Sequence, residues 1–176
     1  MSETWLELLE AWHDFYVIVG SGAAALTAVM FIVASLRTQA MAARTKEGIR
    51  AFVTPTVVFF VTVLLLSGLM TVPVISRSVL GTLLGLGGLG ALGYLIGVKG
   101  HQHWRKNRNT VDLEDWTFYV GLPFLAYLLL LASGIAIWKE AALALEMVSV
   151  TALLLLAVGT HNAWDLVLWM TAQRRD

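Results

Sequence analysis

The chain has 176 residues, 58% of them hydrophobic, with a mean hydropathy of +0.75 and a formal net charge of zero. Soluble domains are close to half apolar, so this composition belongs to an integral membrane protein. The balanced charge argues against nucleic acid as the main partner, and the lack of cysteine removes disulfides, thiolate metal sites and cysteine catalysis.

The opening, MSETWLELLEAWHDF, is acidic and has no basic region of the kind that starts a signal peptide. The apolar run behind it shows no convincing cleavage site and reads as a retained helix. Within residues 1–14, Trp5, Leu6, Leu8, Leu9 and Trp12 alternate with Glu3, Glu7 and Glu10. Such a segment either lies in the outer interface or extends the first helix. A membrane-spanning helix needs about 20 mainly apolar residues. Five runs meet that length, near 15–36, 51–72, 79–98, 116–138 and 141–170. The last is roughly 45 Å long as a helix, beyond the roughly 30 Å hydrocarbon core, and must tilt or project.

Basic residues orient the bundle. Arg37, Arg44, Lys46 and Arg50 follow the first run; Lys99, Arg105, Lys106 and Arg108 follow the third; Arg174 and Arg175 close the chain. With five spans all of these fall on one side, and the other side receives Arg77 and Lys139. The expected fold is therefore an all-α, single-domain bundle of five transmembrane helices, N-terminus outside and C-terminus cytoplasmic. The acidic end of the second inner segment, Asp112, Glu114 and Asp115, suits the start of the fourth helix, with Asp112 as a cap.

The third run is rich in glycine. Gly81 with Gly85, and Gly93 with Gly97, have the spacing that lets helix backbones approach closely in lipid. The spacing predicts a packing centre, against the first helix with its Gly20–Ala25 patch or against a neighbouring subunit; the competing reading is a helix that lines a narrow path. Pro55 and Pro123 are kink candidates.

Ionisable groups inside a span are costly and are functional candidates by default. Asp165 precedes Arg174 by nine residues, so roughly 13 Å of helix separates it from the cytoplasmic end. His161 lies one turn deeper and shares its face; Asn162 points about 60° away from Asp165. Arg50 is a candidate counter-ion, and Trp164 and Trp169 flank the group, Trp169 as an interfacial anchor. The alternative is that these groups hydrogen-bond between helices and lock the bundle. At the outer mouth stand His13, Asp14 and Glu146. His13 and Glu146 either pair, or the acids are simply favourable first-turn residues in water. Glu146 and Asp165 lie roughly 28 Å apart along one helix, at the two mouths of any path.

Other chemistries fit poorly. His13 is outside, His101 and His103 lie in a basic inner loop, and His161 is within the span; no two sit on facing helices at one depth, as a bis-histidine haem requires. No metal-ligand spacing, metalloprotease motif or phosphate loop is present, and Gly20-Ser21-Gly22 is not a serine-enzyme elbow. No cofactor is expected, and an enzyme or cofactor carrier is a minor reading.

Trp12-His13-Asp14-Phe15 at the first span and Asn162-Ala163-Trp164-Asp165 in the last resemble small bacterial inner-membrane proteins of uncharacterised function. The resemblance implies a bacterial cytoplasmic membrane and a five-span bundle, and supplies no activity. Two functions remain open: a protomer of a small oligomeric channel or transporter for ions, protons or a small solute, or a scaffold or regulatory subunit whose glycine helix binds a membrane partner. In both, the lipid bilayer and a homo-oligomer or membrane protein are the expected partners, and the basic loops are available to anionic lipid.

Overall fold

A computed structural model describes residues 4–40, 46–105 and 116–172, without the side chains at 34, 36–40, 46–54, 98–105 and 169–172. Every regular element among them is helical: α1 (Trp5–Ala40), α2 (Lys46–Met70), α3 (Arg77–Arg105), a π-helical turn (Thr117–Gly121) that runs into α4 (Leu122–Trp138), and α5 (Ala144–Ala172). Among the described residues, four stretches are long and apolar enough to cross a membrane: Trp5–Val33, Arg77–Gly97, Thr117–Trp138 and Ala144–Leu168. In α2 the described side chains give the apolar stretch Pro55–Met70, and those at 46–54 lie outside the described residues.

From Trp5 onward the amphipathic opening is part of α1. Thr4 and Glu7 form a reciprocal cap: the Thr4 N–H donates to Glu7 Oε2 at 2.7 Å, and the Glu7 N–H donates to Thr4 Oγ1 at 3.4 Å. From that start the helix continues for 36 residues, about 54 Å. Tyr16, Val19, Ala23, Thr27 and Met30 recur at helical spacing and form its buried stripe.

The helices do not pack in chain order. α1 lies on α2, α2 on α5, α5 on α4 and α4 on α3. Thus α3 sits at one edge, held almost entirely by α4, and the close partner of its glycines is α4 rather than α1. A Cβ built on Gly134 would lie 2.5 Å from the Gly85 nitrogen and 2.7 Å from the Gly81 oxygen, and one on Gly88 would lie 2.6 Å from the Leu131 nitrogen. Backbone meets backbone there, which only missing side chains permit. The Gly20 patch of α1 receives α2: a Cβ on Gly20 would lie 2.8 Å from the Ser67 Cβ.

Two tight turns, Thr71–Ser76 and Lys139–Leu143, lie at the end of the bundle where α1 begins. α4 stops in a Schellman arrangement, with the Ala141 N–H donating to the Ala136 carbonyl at 2.9 Å and the Glu140 N–H to the Ile137 carbonyl at 3.1 Å. Glu140 occupies the left-handed position of that motif at φ 56°.

Candidate functional site

Between the ends, α2 and α5 are tightly packed against each other. Phe59, Phe60 and Val63 of α2 interleave with Val148, Leu155 and Val158 of α5, each no more than 1% exposed. Gly159 makes room for this: a Cβ there would lie 2.6 Å from Cε1 of Phe60, so the ring lies against bare α5 backbone. This packing separates two polar regions at opposite ends of the bundle.

The first region is on α5. One helical turn puts His161 Nδ1 3.2 Å from Asp165 Oδ2, with the two side chains 30% and 40% exposed. The other face of the imidazole system is supplied from α4's leading turn: the Phe118 ring stacks on His161 at 3.7 Å and 4° between planes. Phe118 sits in the π-helical turn, where the Leu122 N–H donates to the Thr117 carbonyl five residues back. Pro123 follows at once and has no N–H to offer the preceding turn, a place where the helix can widen. Asn162 belongs to a different face. It lies on the buried stripe with Val158, Gly159 and Leu166, is 1% exposed, and among the described residues neither of its amide atoms has a hydrogen-bond partner. Leaving a buried amide unmatched costs roughly 1–3 kcal/mol. The three polar groups of α5 are thus a half-exposed pair, His161 and Asp165, and an inward Asn162. The side chains of Arg50, His101, His103 and Trp169 lie outside the described residues, as do Asp112, Glu114 and Asp115.

The second region is at the two turns. Here, of the two readings for His13 and Glu146, the pair does not form and Glu146 is an exposed first-turn acid of α5. His13 Nδ1 lies 3.2 Å from Asp14 Oδ1, its own neighbour, and both side chains are exposed. Glu146 instead borders a cleft of about 100 Å³ with Trp5, Trp12, Arg77 and Glu140. Trp5 Nε1 donates to the Ile75 carbonyl at 2.8 Å, the Arg77 guanidinium stands 4.9 Å from the Trp5 ring centroid, and Arg77 pairs with Glu140. Trp5, Arg77, Glu140 and Glu146 come from three helices and a turn, so no sequence spacing marks them as a group. Below Trp12, Tyr16 is 1% exposed, and its hydroxyl has no hydrogen-bond partner among the described residues.

Of the glycines singled out on α3, Gly81 and Gly85 abut Gly134 of α4. Gly93 and Gly97, with Gly90, are exposed, and a Cβ on any of them would have no atom within 4 Å among the described residues. No family model matches the sequence, and no curated protein or solved structure matches it either. Function therefore has to be argued from these residues alone.

Proposed function

We propose that this chain is a multi-pass protein of the bacterial cytoplasmic membrane, crossing it five times with its N-terminus outside, and that it acts as one protomer of a small membrane assembly. Four long apolar helices support the membrane setting. The 25 residues of α2, about 37 Å of helix, supply the length for the fifth crossing. The lysine and arginine asymmetry supports the orientation, and the W-H-D-F and N-A-W-D elements support the bacterial inner membrane.

The observation that carries the assembly is the outward face of α3. Gly90, Gly93 and Gly97 stand opposite the stripe Leu84, Gly88, Leu92 and Leu95 that faces the bundle, with open space before them. Small residues four apart on a lipid-facing surface are the means by which membrane helices associate. Copies of this chain, or a partner subunit, join there. The test is the subunit count in bilayer discs, by single-molecule photobleaching, for the wild type and Gly93→Leu/Gly97→Leu. The wild type is expected to show two or more copies and the variant one, with unchanged helicity, since nothing described touches those positions. A monomeric wild type at every protein density removes the self-association form of the proposal.

A second reading, transport of ions, protons or a small solute, rests on the half-exposed His161–Asp165 pair within a span. The contact between α2 and α5 is filled, and in this reading the path runs between protomers. Ion and proton flux in liposomes tests it against Asp165→Asn. Flux lost in the variant supports the reading; no flux from either folded protein across ions and pH removes it and leaves the pair as a structural lock.

A further inference from the structure

A groove of about 500 Å³ runs along the α3–α4 seam, on the side away from α2. Its floor is bare backbone at Gly81, Gly85 and Gly134, and Leu86, Leu131 and Ile135 form its walls. It ends at Trp138 and Lys139, the last residue of α4 and the first of the turn. Trp138 Nε1 donates to Thr82 Oγ1 at 3.2 Å, which holds the indole across that end. Lys139 is exposed and has no ion-pair partner among the described residues, Arg77 having taken Glu140. The groove is otherwise apolar. From Leu131 to Trp138 it follows seven residues of helix, about 10 Å, or two-thirds of one leaflet's hydrocarbon depth.

We propose that this groove is a binding site for one anionic phospholipid, with an acyl chain along the glycine floor and the phosphate at Lys139. Two arguments select that occupant. The lining is apolar along its length and cationic only at the end where a headgroup would stand, with an indole at the same level, as at a membrane–water boundary. A second copy related by a two-fold axis along the membrane normal would bring two Lys139 ammonium groups to the same depth in one seam, which opposes pairing. This inference needs α3 and α4 to lie in a bilayer.

Native mass spectrometry of the purified protein, titrated with phosphatidylglycerol and with phosphatidylcholine, tests it. The wild type is expected to retain one phosphatidylglycerol per chain more tightly than phosphatidylcholine. Lys139→Gln, at the surface, should weaken phosphatidylglycerol about fivefold, the weight of one lysine near a membrane surface, and leave phosphatidylcholine unchanged. Gly85→Leu, whose Cβ would meet nothing within 4 Å, should fill the groove and remove the first bound lipid of either kind. Gly22→Leu, which adds the same bulk to an open position on α1, should not. Equal retention of both lipids by wild type and Lys139→Gln overturns the proposal, because it describes non-specific annular lipid. A change in subunit count with Gly85→Leu, without loss of lipid, overturns it in favour of a second copy.

Discussion

Val74 takes φ 59° in the turn before α3 while 80% exposed. A β-branched side chain in the left-handed region crowds its own carbonyl at a cost of about 1–2 kcal/mol, and this one has almost no burial to offset it. Val74→Gly should therefore raise stability by about 1 kcal/mol after glycine's extra chain entropy is discounted. Thermal unfolding in detergent reads this as a higher midpoint; a lower one would mean that Val74 holds a contact in the membrane. His161 and Asp165 show what a single residue pair discloses in advance. Their spacing of four puts them on one face whatever the tertiary fold, and they lie 3.2 Å apart. The Phe118 ring over His161 was not legible, because it depends on a π-helical turn and on which helix packs beside α5. Asn162 is similar: its identity is plain, but its burial without a partner among the described residues follows from the stripe of α5 that turns inward.

At the scale of elements, the seam between α3 and α4 depends on absent side chains. Gly134→Ala would set a methyl against the backbone nitrogen of Gly85 and the backbone oxygen of Gly81, neither of which can move without the whole helix. The expected loss is about 1–3 kcal/mol, as for other overpacked positions. Gly87→Ala, whose Cβ meets nothing within 4 Å, should leave the unfolding midpoint unchanged or slightly raised by helix propensity. Equal effects of the two substitutions would contradict the close approach. Glycine spacing predicts that α3 packs closely somewhere, yet Gly81 and Gly85 abut Gly134 while Gly93 and Gly97, with the same spacing, meet nothing among the described residues. Spacing marks a face that can approach a partner; the packing order α1–α2–α5–α4–α3 decides which faces do. The opening segment makes the same point: either placement suits its alternation of tryptophan, leucine and glutamate, and the reciprocal Thr4–Glu7 cap with the Trp5–Ile75 hydrogen bond accompanies a continuous α1.

For the whole molecule, the proposed orientation is open to a direct test because the chain has no cysteine of its own. A single cysteine at Val74 should react with a membrane-impermeant maleimide in intact cells, and one at Arg174 only after permeabilisation. Labelling of both from outside, or of neither, would refute the odd number of crossings proposed between the two positions. The contact between α2 and α5 bears on this scale too: with Phe59, Phe60 and Leu155 fully buried, a solute path between those two helices has no room.

The sequence by itself determined the all-α character, the apolar helices long enough to cross a bilayer and the pairing of His161 with Asp165. Each follows from local chemistry: twenty apolar residues satisfy their backbone hydrogen bonds internally only as a helix in lipid, and residues four apart meet on any helix. Tertiary structure alone decided that α3 sits at the edge against α4, that Glu146 joins Trp5, Trp12 and Arg77 rather than His13, and that a groove ends at Lys139. These depend on the order in which helices of nearly equal apolarity pack together. In lipid every apolar face is already solvated by chains, so hydrophobicity does not choose between neighbours. Steric fit chooses, and fit becomes visible only when the backbones are placed side by side.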